Sequence, residues 1–147
     1  MIEIMPPAAP EALPILYRDE RLVVVDKPSG LLVHRSPIDR HETRFALQIL
    51  RDQLGQRVYT IHRLDKGTSG ALAFGLDPDT ARAYGAIFAQ RGVPKTYVAL
   101  VRGWPAVAGT VDRPLPAVAD ERAGPQSTEP RESQTSFRRI ATFELPV

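Results

Sequence analysis

The chain contains no cysteine, which excludes disulfide bonds and metal sites built on thiolates. It also has no apolar run that approaches the roughly 20 residues of a membrane-spanning helix, so we expect no membrane among its partners. Residues 1–14 lack the basic start and apolar stretch that mark a secretory signal peptide. Together these absences favour a cytoplasmic protein.

The composition is typical of one globular domain with a weakly basic surface. Of the 147 residues, 43% are hydrophobic, which is enough for one core but not for two. The net charge is +2 at pH 7 and the isoelectric point is about 9.2. This balance permits an anionic partner such as RNA, and an ordinary basic surface explains it equally well. We expect a monomer.

Proline content and apolar patterning divide the chain into an arm and a body. Residues 1–14 are rich in proline and aperiodic, which predicts a mobile N-terminal arm. From Ile15 to Val147, short apolar runs bounded by turn residues are interrupted by two segments with helical spacing. The sequence therefore predicts an α+β fold, with a mixed, mostly antiparallel sheet and helices packed on it.

Local signals define the two predicted helices. The first covers residues 42–55 and ends at Gly55, because glycine readily adopts the left-handed backbone that terminates helices. The second covers residues 77–92, with Asp77 as its N-cap and Gly92 as its expected end.

Segment 93–104, VPKTYVALVRGW, is the clearest predicted strand. Its apolar alternation is imperfect, which predicts a strand covered on both faces. A local hairpin is predicted near residues 109–115. Further strands are predicted at 15–17, 21–27, 31–34, 58–62, 70–76 and 133–147.

A charged loop lies between two apolar segments in IHRLDKGTSGALAF, residues 61–74. Asp65 has His62, Arg63 and Lys66 as sequence neighbours, and nearby cations and hydrogen bonds favour the ionised form of a carboxyl group. An ionised, partly buried carboxylate can act as a nucleophile, a general base or a stabiliser of a cationic transition state. An aspartate in a turn beside an arginine more often holds the loop as an ion pair, and the pattern alone leaves both roles open.

Three stretches, in this order, resemble the RluA-type family of pseudouridine synthases: LYRDERLVVVDKPSGLLVHRS, HRLDKGTSGALAFGL and FAQRGVPKTYVALVRGW. The VHRS and VRGW stretches favour the TruC-like branch, whose members act on tRNA. The resemblance implies that residues 15–147 are the N-terminal portion of a pseudouridine synthase catalytic domain. It also implies isomerisation of a uridine in RNA without a cofactor: the N1–C1′ bond breaks, the base turns, and C5 joins C1′.

The resemblance assigns roles to single residues. It makes Asp65 the catalytic residue, Arg63 a contact to the RNA or to the place that the flipped nucleotide leaves, and Tyr97 a platform for the target base. On the residues alone, Tyr97 is more often a core aromatic, and Lys95 is as often a solvated side chain as an RNA contact. The expected substrate-binding residues are Arg63, Tyr97, Lys95, His62 and Thr68.

The sequence departs from the family pattern after FELPV. Family members carry a further segment with a G-x-x-H-Q-[IL]-R motif whose basic residue pairs with the catalytic aspartate, and this sequence has no match to it. We therefore expect a chain truncated at its C terminus, with weak or absent catalysis on its own.

Other functions are open at this point. An rRNA uridine is an alternative substrate, and a non-catalytic RNA-binding remnant is an alternative function. A glycoside hydrolase ranks last, because it needs a second acid near Asp65 and the sequence offers no well-placed candidate. Metal binding by His62 and Asp65 lacks a third nearby ligand, so we expect no metal.

Overall fold

The computed structural model of the chain describes residues 11–35, 41–115, 130 and 132–144. It divides into two compact units, Met1–Lys95 and Thr96–Val147. Within the described residues, no helix is both long and apolar enough to cross a membrane. The elements of the first unit are β1 (Ile15–Arg18), β2 (Leu22–Lys27), α1 (Ala46–Leu54), β3 (Tyr59–Thr60), β4 (Gly70–Gly75) and α2 (Pro78–Ala89). Those of the second unit are β5 (Ala108–Asp112) and β6 (Gln134–Arg138).

The strands of the first unit form one antiparallel sheet in the order β1-β2-β4-β3. The central strands β2 and β4 pair along their whole length, with Val23 opposite Phe74 and Val25 opposite Leu72. Because side chains alternate across a strand, these four residues share one face of the sheet. The sheet and the two helices confirm the predicted α+β fold.

That face carries the hydrophobic core. The four sheet residues are joined there by Ala46, Ile49 and Leu50 of α1, all of them buried. Leu13 belongs to the same core, and its backbone N–H and carbonyl both bond to the side-chain amide of Gln53. The structure thus places Leu13, near the end of the segment that we predicted as an arm, inside the fold. Residues 1–10 of that segment lie outside the described residues.

Helix α1 begins later than predicted, because the residue before it has an extended backbone. Phe45 has φ −139° and ψ 145°, and it forms an isolated parallel bridge with Leu32. The first two amides of the helix donate to the carbonyls of Leu32 and Val33, which supply partners that the helix itself cannot. The prediction of a strand at residues 31–34 is therefore wrong, since this segment makes one bridge and caps a helix. Gly55 ends α1 with φ 64°, as predicted.

Helix α2 starts where the sequence predicts. Asp77 caps it: one carboxylate oxygen accepts the Thr80 N–H at 2.8 Å, and the other accepts the Thr80 hydroxyl at 2.6 Å. The helix ends at Ala89, before the predicted end at Gly92. The left-handed backbone expected of that glycine is adopted by Arg91, with φ 59°.

Replacing Asp77 with alanine is expected to lower the melting temperature by about 4–8 °C, because the helix start loses the acceptor for the Thr80 amide and hydroxyl. Thermal unfolding followed by circular dichroism measures the change. Asp79→Ala is the matched control, since its carboxylate pairs with Arg82 at the exposed surface. That control is expected to shift the melting temperature by less than about 2 °C. Equal shifts in the two variants would contradict the capping role.

The second unit contains an antiparallel ribbon. Strand β5 pairs with β6, so that Gly109 faces Phe137 and Thr110 faces Ser136. The prediction of a local hairpin near residues 109–115 is therefore wrong, because β5 takes its partner from much later in the chain.

Segment 93–104, the clearest predicted strand, forms neither a helix nor a strand in the structure. Val98 and Leu100 are 85% and 80% exposed, so the expected cover on both faces is absent from the described residues. Apolar alternation shows which faces a strand could bury, but a strand also needs a neighbour for its backbone groups. No ladder partner for this segment lies among the described residues, and the prediction is wrong here.

Candidate active site

The charged loop runs between β3 and β4, and its side chains divide between the interior and the surface. Ile61 and Leu64 point inwards and are 9% and 8% exposed. Arg63 and Asp65 are exposed. The apolar residues therefore anchor the loop, while its charged residues face outwards.

A turn after β2 fixes the backbone of the loop next to Asp65. The Gly30 N–H donates to the Lys66 carbonyl at 2.7 Å, and the Ser29 hydroxyl donates to the Gly67 carbonyl at 2.8 Å. Gly30 has φ 86°, a conformation that favours glycine. Two segments far apart in sequence are thus tied together beside the aspartate.

Lys27, the last residue of β2, is the site residue that sequence reasoning missed. Its side chain is fully buried, and its ammonium group donates to the carbonyls of Leu31 at 2.7 Å and Pro28 at 3.0 Å, with a longer contact of 3.4 Å to that of Lys66. Burial lowers the pKa of Lys27, and the negative charge of Asp65 acts in the opposite direction. A buried cation therefore holds both segments and acts electrostatically on the candidate catalytic carboxylate.

Asp65 is more open than we expected. The catalytic roles considered for it suit a carboxylate shielded from bulk water, but Asp65 is exposed. Its backbone carbonyl accepts the Thr68 N–H at 3.0 Å, which closes a tight turn after the aspartate. The neighbouring Lys66 ammonium lies 2.6 Å from a carboxylate oxygen of Glu42. The side of the site towards solvent is thus formed by an accessible carboxylate and a surface ion pair.

His62 is half-buried, and its ring contacts a strand and a helix. Its Nε2 accepts the backbone N–H of Ala73 in β4 at 3.1 Å. Its ring stacks on Phe88 of α2, with centroids 4.4 Å apart and planes 7° from parallel. We expected His62 to bind substrate, and the structure gives its ring two partners within the protein.

The remaining predicted site residues fall in different places. Thr68 is half-buried in the turn after Asp65, and Lys95 is exposed but close enough for its charge to act on His62. Tyr97 belongs to the second unit and is 59% exposed. In the part of the chain that the structure describes, no three side chains of the metal-ligating types form a group that could hold a metal ion.

Comparison with known proteins identifies the family to which the chain belongs. A family model described as RNA pseudouridylate synthase matches residues 21–144, which include both the loop and the turn that supports it. The chain belongs to this family. The predicted membership of the pseudouridine synthases is confirmed.

Relatives in the RNA pseudouridylate synthase family share the sequence over most of this chain. The tRNA pseudouridine synthase C of Vibrio cholerae is 46% identical over 138 residues, which are 92% of this chain and 57% of the relative. That of Haemophilus influenzae is 44% identical over 137 residues, 91% of this chain and 57% of the relative. The chain therefore spans little more than half the length of these relatives.

Solved structures of pseudouridylate synthase proteins share the fold. Human RNA Pseudouridylate Synthase Domain Containing 1 matches with a TM-score of 0.66 and 27% identity, over 90% of this chain and 54% of that one. Human RNA Pseudouridylate Synthase Domain Containing 4 matches with a TM-score of 0.61 and 24% identity, over 88% of this chain and 54% of that one. The predicted pseudouridine synthase fold is thus confirmed for the part that this chain contains.

Proposed function

We propose that this chain carries the catalytic loop of a tRNA pseudouridine synthase, with Asp65 as its catalytic residue. The observation that carries the proposal is the accessible carboxylate of Asp65 on a well-held loop. The backbone of that loop is bonded to buried Lys27 and to Ser29 and Gly30 of the turn after β2. Catalysis requires a reactive group that is both reachable and held in place. The names of the relatives, which are tRNA pseudouridine synthases, support tRNA as the substrate rather than rRNA.

The proposed reaction is an isomerisation that consumes no cofactor. The N1–C1′ bond of the target uridine breaks, the uracil turns, and a bond forms between C5 and C1′. C5 loses a proton and N1 gains one, so the product has the same composition as the substrate. Asp65 either attacks the sugar or removes a proton from it, and both routes require an ionised carboxylate.

The family resemblance suggests roles for the other predicted residues, and we propose them here. A uridine inside a base stack cannot be reached, so it must leave the stack. We propose that Arg63, which is exposed and two positions before Asp65, fills the gap that it leaves. The resemblance makes Tyr97 the platform for the displaced base; its ring is 59% exposed, and stacking of a base on an aromatic ring is worth roughly 1–3 kcal/mol. Lys95 is suited to a phosphate contact, while Thr68 fixes the turn. A docked nucleotide would also shield Asp65 from water.

Mapping of pseudouridine in cellular RNA tests this function. Deletion of the gene from its source organism is expected to remove pseudouridine from one tRNA position, and return of the gene as it stands in that organism is expected to restore it. Loss from rRNA instead would contradict the proposed substrate. An unchanged pseudouridine pattern in all RNA would contradict the proposed activity.

A further inference from the structure

The His62 ring is held by directional contacts from two different elements. The Ala73 N–H of β4 points at Nε2 over 3.1 Å, and Phe88 of α2 lies flat against the ring. His62 stands three positions before Asp65 on the same loop. The ring therefore ties the loop of the candidate catalytic residue to both a strand and a helix.

The hydrogen bond from Ala73 requires the neutral form of His62. A ring nitrogen can accept an N–H only with a free lone pair, so the single ring proton lies on Nδ1. Protonation of Nε2 would place two donors against each other and break the bond. The ring would then lose its attachment to β4.

The surroundings of His62 also disfavour its charged form. Burial lowers its pKa, a hydrogen bond with the Arg63 backbone opposes that effect, and the positive charge of Lys95 adds to it. The contacts from β4 and α2 come from Ala73 and Phe88, whose side chains do not titrate. The charged side chain that acts on the ring is that of Lys95, and its positive charge also disfavours protonation of His62.

We propose that neutral His62 is a positioning residue for Asp65, which holds the catalytic loop against β4 and α2 and releases it when the ring is protonated. This proposal deepens the proposed function and rests on it. Arg63 and Asp65 lie at the surface, so their placement depends on what fixes the inner side of the loop. Ile61 and Leu64 supply apolar burial there, and His62 adds a bond with a defined direction.

Nuclear magnetic resonance of the chain tests the tautomer without any assay of activity. We expect the His62 ring to carry its proton on Nδ1 at neutral pH. We also expect the Ala73 amide and the amides of residues 63–69 to shift together with the ring as the pH falls below about 6.5, the ordinary pKa of histidine. Protonated Nε2 at neutral pH, or loop amides that ignore the titration of the ring, would overturn the proposal.

Two substitutions test separately the hydrogen-bond acceptor of His62 and its aromatic surface. His62→Gln keeps an acceptor near the position of Nε2 but cannot titrate, whereas His62→Phe keeps the stacking surface and has no acceptor. We expect the Ala73 amide to exchange with solvent about tenfold faster or more in His62→Phe, because it loses its partner. In His62→Gln we expect Ala73 protection close to that of the wild type and no acid-induced shift of the loop.

Activity is compared by returning each variant gene to the deletion strain. His62→Gln is expected to restore pseudouridine better than His62→Phe. Equal restoration by both, or equal Ala73 protection in both, would overturn the positioning role. If the wild-type gene restores no pseudouridine, the proposed function fails, while the resonance and exchange measurements still decide whether His62 positions the loop.

Discussion

Asp65→Asn is expected to reduce pseudouridine formation by about 10²-fold to 10⁴-fold or more, the range that loss of an acid–base or nucleophilic group produces. Asparagine has nearly the same shape but carries no charge, so it can neither attack the sugar nor accept a proton from it. Because Asp65 is exposed and its turn is closed through backbone atoms, the fold is expected to survive. The measurement is pseudouridine mapping in the deletion strain carrying the variant gene.

The matched control changes the same residue type elsewhere on the surface. Asp79→Asn removes a carboxylate that pairs with Arg82 on α2, away from the loop, and it is expected to leave pseudouridine at the wild-type level. Circular dichroism of the purified chain checks that both variants are folded. Full activity in folded Asp65→Asn would show that Asp65 is not the catalytic residue.

Structural features that depend only on a few adjacent residues could be predicted from the sequence. The start of α2 depends on Asp77 and on the residues directly after it, so the pattern is complete within one turn. The loop of Asp65 is likewise one continuous stretch with apolar flanks, and the structure places it between two strands. Such features need no information about which distant segments meet.

Features that depend on distant partners could not be predicted in the same way. Lys27 in DKPSG reads as an ordinary charged residue before a turn, and only the fold buries its ammonium group against the Leu31 carbonyl and near the loop. His62 reads as one of several charged neighbours of Asp65, whereas its partners Ala73 and Phe88 come from a strand and a helix that follow. A buried lysine is uncommon enough that no local pattern predicts it.

Lys27→Met is expected to lower the free energy of unfolding by about 2 kcal/mol and to reduce pseudouridine formation as well. Methionine fills much of the same volume, but it leaves the carbonyls of Pro28 and Leu31 without their donor, at about 1–3 kcal/mol for each buried group. Removal of a buried charge offsets part of this loss, because the ammonium group no longer has to be desolvated. Denaturant unfolding of the purified chain measures the net change in the free energy of unfolding.

Lys66→Met is the matched control for Lys27→Met. Its ammonium group lies in a half-exposed ion pair with Glu42, so its removal is expected to change the free energy of unfolding by at most about 1 kcal/mol. Hydrogen exchange locates the effect: the Gly30 amide of the turn and the Thr68 amide of the loop should lose protection in Lys27→Met, because the shared donor between the turn and the loop is gone. A Lys27→Met chain as stable as Lys66→Met, with both segments still protected, would show that apolar packing and the hydrogen bonds from Ser29 and Gly30 are enough to hold the Asp65 loop. The buried ammonium group would then have no part in fixing it.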